Sequence, residues 1–221
     1  MPGSRSSGST YRLPRGRPAM SDKLPQTPHG FRTRGALLRA GRKVLEQKGL
    51  HKTRIADVAA EAGVAVGSFY VHFDNKEDLF RQLLIAVEDE VYGELSTVAP
   101  GTADPVQRIL ETNRLYLTAF KRNSRFWRVI EESVLLFPDA PSVLSERRVY
   151  YRSRTERAIR RMQQSGLVAT TIEPAAAALI LGAMTERLAY MWFVFDDRSD
   201  LDDLTGYLTR LWLNLLGIDD R

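Results

Sequence analysis

The chain has no cysteine, so neither a disulfide framework nor a thiolate metal site is available to it, as in proteins of a reducing compartment. Histidine is almost as scarce: His29, His51 and His72 lie in unrelated local contexts without the spacing of a metal site, so no structural metal or cofactor is expected. The C-terminal half shows no strand-like alternation of useful length, no paired carboxylates, no Ser/His/Asp order and no phosphate-cradling glycine loop. An enzyme is therefore not expected. The N-terminus lacks an apolar leader core, and the most apolar segment, Ala175 to Phe195, is broken by Glu186 and Arg187. It reads as a core or interface helix and not as a membrane span, and a cytoplasmic location follows as the expectation.

What is present starts with charge. The 221 residues carry a net charge of +5, unevenly spread. The first 34 residues hold seven bases (Arg5, Arg12, Arg15, Arg17, Lys23, Arg32, Arg34) against one acid, Asp22. This arm is rich in Gly, Ser and Pro and lacks apolar periodicity, so residues 1–30 are expected to form a disordered basic arm. Two readings stay open for it: a phosphate-neutralising or minor-groove arm, or a solvated tail, with Met20 a possible first residue. Arg32 and Arg34 directly precede the first helix and are expected to meet phosphate.

The segment from Thr53 to Leu79 carries the most information. It reads as two short helices joined by a tight turn, then a capped third helix. Thr53 is expected to cap the first with its hydroxyl, and Ile55, Val58, Ala59 and Ala62 follow at helical spacing. Gly63 stops it, since a glycine takes positive φ without a Cβ clash. A second helix starts near Ala65, expected to bury Phe69 and Phe73 and to leave Val66, Gly67, Ser68, Tyr70, Val71 and His72 outward. Tyr70 and His72 can donate to phosphate oxygens, while Gly67 and Ser68 permit close approach to base edges. Asp74 or Asn75 caps the next helix, with Glu77 or Asp78 back-bonding, which leaves Lys76 in the first turn to meet phosphate. Thr53 and Arg54 complete the expected DNA-facing set.

These residues resemble the DNA-binding domain of the TetR family of transcriptional regulators. The pattern is met by Ala62, Gly63, Val64, Gly67, Ser68, Tyr70, His72, Phe73, Lys76, Glu77 and Leu79, and upstream by Leu37, Leu38, Val44, Leu45 and Gly49. The resemblance runs from about residue 33 to about residue 85. It implies phosphate contacts at Tyr70, His72 and Lys76, a hydroxyl contact at Ser68 and close backbone approach at Gly67. Three positions depart from the family pattern: Ala65 replaces a capping Ser, Val66 a polar base-reading side chain, and Gly41 an Ala. Val66 and Val71 can touch only apolar groups such as thymine methyls, which points to apolar and shape readout.

The remainder reads as helices over about 77–97, 104–122, the Ser124-capped 124–136, 141–164, 173–195 and 200–216. The fold class is therefore all-α: a helix-turn-helix domain at 31–76 and a helical effector-binding and dimerisation domain at 77–221. Tyr116, Phe120, Phe126, Trp127, Ile130, Phe137, Tyr151, Met184, Met191 and Trp192 are expected to line a pocket for a small, largely apolar effector, such as a fatty acid or acyl-CoA; the pocket itself is implied mainly by the resemblance. Leu179, Leu204, Leu208, Leu211, Trp212 and Leu215 are expected to pair two chains into a homodimer. Between 141 and 164, seven arginines face two acids. They read as a solvated face, with the alternative that one or two reach a cavity mouth and meet an anionic effector. The functional expectation is a ligand-released repressor bound to a palindromic operator in double-stranded DNA. The alternative is an architectural DNA-binding protein without an effector.

Overall fold

The structure, a computed structural model, describes residues 23–95, 104–136, 140–196, 198 and 200–219. The arm before residue 23 and the pocket candidate Phe137 lie outside the described residues, as does the end expected for the helix that starts at Lys76. Among the described residues the chain is helical: α1 (Pro28–Lys52), α2 (Ile55–Glu61), α3 (Val66–His72), α4 (Lys76–Leu95), α5 (Pro105–Arg122), α6 (Ser124–Leu136), α7 (Ala140–Gln164), α8 (Pro174–Tyr190) and α9 (Leu201–Leu216).

Local chemistry sets most of these boundaries. Thr27 Oγ1 accepts from the Gly30 amide at 3.1 Å and starts α1 with Pro28 at its first position. Asp104 with Pro105, and Glu173 with Pro174, repeat the same cap-then-proline device at α5 and α8. The Glu173 carboxylate accepts from the amides of Ala175 and Ala176 at 3.1 and 2.6 Å. Those two bonds favour its ionised form and hold its pKa below the usual carboxylate value. Asp200 accepts from the Asp203 amide at 2.9 Å and opens α9.

Three boundaries differ from expectation. Thr53 does not cap α2: its hydroxyl donates to the Gly49 carbonyl at 2.7 Å, and the Asp57 carboxylate accepts from the Arg54 amide instead. Asn123, not Ser124, organises the start of α6, because its carbonyl accepts from the Phe126 and Trp127 amides. The helix expected to run unbroken to Phe195 leaves α geometry at Met191 and finishes in a π turn, closed by the Asp196 amide on the Met191 carbonyl at 2.8 Å.

A continuous apolar cluster joins the N-terminal helices to the bundle. It runs from Leu37, Leu45, Phe69 and Phe73 through Leu79, Phe80 and Leu84 of α4 to Phe120, Phe126 and Leu204. A second cluster, Ile109, Ile159, Met162, Leu181, Leu213 and Leu216, closes the far end between α5, α7, α8 and α9. By length and composition alone the Pro174–Phe195 segment is long and apolar enough to cross a membrane, a test that the core helix of a bundle also passes. Here Ala177, Ala178, Leu181 and Ala189 of that segment are packed inside the bundle.

Near its end α1 is kinked at Gly49, with φ 73° and ψ 168°. An added Cβ there would lie 2.8 Å from Glu132 Oε2 of α6, a side-chain end that can shift, so it is the positive φ that calls for glycine. Gly49→Ala is expected to cost about 1–2 kcal/mol in urea unfolding. Wild-type stability in that variant would contradict the kink.

Candidate nucleic-acid interface and sensor cavity

The turn between α2 and α3 is made by Gly63 at φ 69°. The Gly63 amide donates to Ala60 and the Val64 amide to Ala59, so the carbonyls at the end of α2 are satisfied while the chain reverses. From this corner α3 turns Phe69 inward, against Phe73 at a ring separation of 5.4 Å. Tyr70 is 49% and Val71 64% exposed, and Val66 lies beside them on the surface. Gly67 is exposed too, and a Cβ added to it would meet nothing within 4 Å. A glycine inside a helix costs about 1 kcal/mol relative to alanine, and packing within the chain gives no reason for it.

Two expected outward residues turn the other way. His72 is only 7% exposed and lies three residues after Phe69, on the buried side of α3. Burial first, and the nearby Arg34 charge second, lower its pKa below the ordinary imidazole value. Lys76 reaches back across the head. Its ammonium donates to the carbonyls of Leu50 at 2.8 Å and Thr53 at 3.0 Å, and burial lowers its pKa. The side chain thus ties the start of α4 to the α1–α2 corner. Thr53 is likewise buried. Arg34 lies over the Phe73 ring at 5.2 Å, partly withdrawn from solvent, while Arg32 and Arg54 are exposed. The start of α4 matches expectation: Asn75 Oδ1 accepts from the Asp78 amide at 2.8 Å, and Asp78 Oδ2 accepts from the Asp74 amide at 3.1 Å.

Sequence reasoning missed Lys23. Its ammonium donates to the Tyr70 carbonyl at 2.9 Å and pairs with Asp74 at 2.7 Å, which brings the chain preceding α1 alongside the C-terminal end of α3. A cation at a helix C-terminus is favoured by the exposed carbonyls, but nothing in the arm's composition specified which base would find it.

In the bundle, a cavity of about 840 Å³ opens between α4, α5, α7, α8 and α9. Of the expected pocket residues it reaches Tyr116 and Tyr151. Phe120, Phe126, Trp127 and Ile130 are instead packed in the core, where Phe120 and Trp127 stack at 4.7 Å. Met184 and Trp192 pack against the same core, and the Trp192 indole donates to the Asp200 carbonyl. Met191 opens the π turn, away from the cavity walls. These residues fill space between helices. The void forms where Ala158, Ala178, Gly182 and Ala183 supply too little side chain to fill it.

Of the residues expected to pair two chains, Leu204 and Leu208 are fully buried within the chain, because that stripe of α9 faces α5. Leu179 and Leu211 are 52% and 45% exposed, and Trp212 and Leu215 are half-buried. Ile180 and Tyr207 join the exposed apolar face of α8 and α9.

A short helix offered outward by a glycine corner, in a head braced from α4, defines a helix-turn-helix reading head on an all-α body. Residues 37–83 match the family model described as bacterial regulatory proteins, tetR family. Over 88 residues the chain is 31% identical to the HTH-type transcriptional repressor KstR2 of Mycobacterium tuberculosis (strain ATCC 25618 / H37Rv), an alignment covering 40% of this chain and 42% of that protein. It is 25% identical over 211 residues to the HTH-type transcriptional regulator EthR of Mycolicibacterium smegmatis, covering 93% of each. The fold is similar to that of a solved tetR-family bacterial regulatory protein from Rhodococcus RHA1, at TM-score 0.71 and 20% identity, over 85% of this chain and 98% of that one. The chain thus spans well under two thirds of the KstR2 it matches. Residues 37–83 form a DNA-binding domain of the TetR-family type, and the all-α body is similar in fold to solved TetR-family regulators.

The buried His72 makes a pH prediction. Its folded pKa lies below the ordinary 6.5, so the unfolded chain binds the proton more readily. The stability this contributes is fully present above the ordinary value and is lost as pH falls through it. Wild type should therefore lose more stability between pH 7.5 and 5.5 than His72→Leu in urea titrations. Equal losses would mean that His72 is solvated.

Proposed function

We propose that the protein is a homodimeric, ligand-responsive repressor of the cytoplasm that binds a palindromic operator in double-stranded DNA. The observation that carries this reading is the exposed face of α3, where Gly67 leaves open space between Val66, Tyr70 and Val71. In this reading Ser68 and Tyr70 meet phosphate or base edges, Val66 and Val71 touch thymine methyls, and the exposed Arg32 and Arg54 add phosphate contacts. Arg34, Thr53, His72 and Lys76 act from behind: they hold α3 at its angle instead of touching DNA. The names of KstR2, a transcriptional repressor, and EthR, a transcriptional regulator, support the assignment of class.

One head contributes a small interface, and two-fold binders gain affinity from paired half-sites. The exposed residues Leu179, Ile180, Tyr207 and Leu211 suit a two-fold contact between copies. An effector entering the cavity would release DNA if it favours a head spacing that does not match successive major grooves.

Selection from a random duplex library should recover an inverted repeat, and failure to enrich any sequence would favour the architectural alternative. On the selected site, Gly67→Ala is expected to weaken binding about tenfold while leaving stability unchanged or raising it by up to about 1 kcal/mol. Arg32→Ala should reduce the slope of affinity against salt by about one. Wild-type affinity in Gly67→Ala would remove the main support for the DNA-facing assignment. Separately, Leu211→Glu should shift the protein toward monomer in sedimentation velocity, and an unchanged sedimentation coefficient would remove this face as the interface.

A further inference from the structure

Among the described residues six arginines border the cavity: Arg108 of α5 and Arg148, Arg152, Arg154, Arg157 and Arg161 of α7. The cavity's one acidic side chain, Glu186, is already bound to Arg148, and burial raises its pKa. Among the described residues no carboxylate lies within ion-pair distance of Arg108, Arg152, Arg157 or Arg161. Arg160, on the same helix but off the cavity, is by contrast paired with Glu156 at 2.7 Å. Arg148 and Arg154 have partners of their own, which leaves Arg108, Arg152, Arg157 and Arg161 as the cavity arginines without an acidic neighbour among the described residues. A cluster of like charges repels itself and is stabilised by a bound anion, for which guanidinium groups provide paired donors.

The interior is of a different character. Tyr92 and Tyr151 stack at 4.4 Å, with Tyr116 and Ile109 beside them, and the lining amide of Asn113 donates to Thr209 at 3.2 Å. A completely apolar guest would fill that interior and leave the arginine border without a counter-charge. A small hydrophilic anion would satisfy the border and leave the aromatic wall wet. We infer that the cavity takes an amphiphilic anion, its ring-containing apolar part against the tyrosines and its negatively charged head, a phosphate, sulfonate or carboxylate, held by the arginines of α7. This inference rests on the ligand-responsive reading above and narrows its largely apolar effector to a charged one.

Two fluorescent probes share one skeleton and differ in charge: 1-anilinonaphthalene-8-sulfonate, an anion, and N-phenyl-1-naphthylamine, which is neutral. Wild type should bind the sulfonate about tenfold more tightly, and the preference should weaken with salt. In the double variant Arg152→Gln, Arg157→Gln the preference should fall to near unity, whereas Arg160→Gln should keep it. Melting temperatures of both variants verify that the fold persists, and the neutral probe reports the cavity itself. Equal affinity for the two probes in wild type, or a preference retained by the double variant, overturns the inference. To distinguish head-group sources, a phosphorylated and a carboxylated aromatic compound compete for the bound sulfonate; displacement by either supports the anionic site and identifies its head, and displacement by neither overturns it. Release of the selected DNA is read in parallel. If neutral ligands release it as well as anions, the repressor reading stands and this inference fails; if anions bind at the cavity without altering DNA affinity, the reverse holds.

Discussion

The orientation of the reading head depends on the two peptide groups that flank Leu50. Its amide donates to Glu132 Oε2 of α6 at 3.0 Å, and its carbonyl accepts from Lys76 of α4 at 2.8 Å. Gly49 makes this possible, because only a positive φ there turns the Leu50 peptide across the chain. Hydrogen bonds to charged groups are worth about 1.5–3 kcal/mol each, and leaving a buried peptide group unmet costs a comparable amount. The kink, the lysine and the glutamate therefore stand or fall together. Lys76 also holds the Thr53 carbonyl, so the brace extends to the first residues before α2. Through α2 and the Gly63 corner it sets the angle at which α3 leaves the body.

The same region shows why the head is not an independent bead on the bundle. Arg42 of α1 donates to Asn123 Oδ1 at 2.7 Å, at the corner between α5 and α6, and Asn123 in turn donates to the Ala119 carbonyl. Leu79 of α4 occupies the space above Gly41, where a Cβ would lie 2.7 Å from its Cδ2. A glycine in place of the alanine usual in the family is thus matched by a leucine packed deep between α1 and α4. Beyond it, Phe120 and Trp127 stack, and Tyr116 one turn earlier on α5 reaches the cavity. The cavity wall and the Leu50 brace are connected by packed side chains throughout. Such contiguity transmits a change only if some element in it has two arrangements, and the salt-linked Arg42, Glu90 and Asn123 corner is where polar partners could be exchanged without opening an apolar core.

Much of this was legible in the sequence because caps are local. Asp104 before Pro105, Glu173 before Pro174, Asp200 and the Asn75–Asp78 pair each satisfy amides within three residues, so reading them needs no knowledge of the fold. Orientation was harder. His72 and Lys76 carry polar atoms, which drew them outward; His72 follows Phe69 by three residues on α3, a spacing that was there to be read, whereas Lys76 starts α4 beyond the extended Phe73 and its partners at the α1–α2 corner are set by the tertiary fold. Thr53 failed for a similar reason: a hydroxyl before a helix can look forward to an amide or back to a carbonyl, and the kink at Gly49 decided for the latter. The cavity was the least legible feature. Periodicity shows that Phe120, Phe126 and Trp127 face inward but not whether a helix or a void meets them. The informative signal was the opposite one, small residues at Ala178, Gly182 and Ala183 facing Ala158.

Those small residues place two demands on α8. Leu179, Gly182 and Ala183 border the cavity, and they also lie on the exposed flank of the helix. Enlarging any of them to fill the void would also change the outer surface. If a second copy docks on that flank, as the proposed dimer requires, one wall is shared by ligand and partner. A ligand that strengthens or weakens the pairing must then itself be bound more or less tightly by the paired form, by the same factor, since linkage is reciprocal. A wall of large side chains would insulate one event from the other, and a wall of glycine and alanine does not. The scarcity of side-chain volume on α8 is therefore what connects the void inside the bundle to the surface outside it.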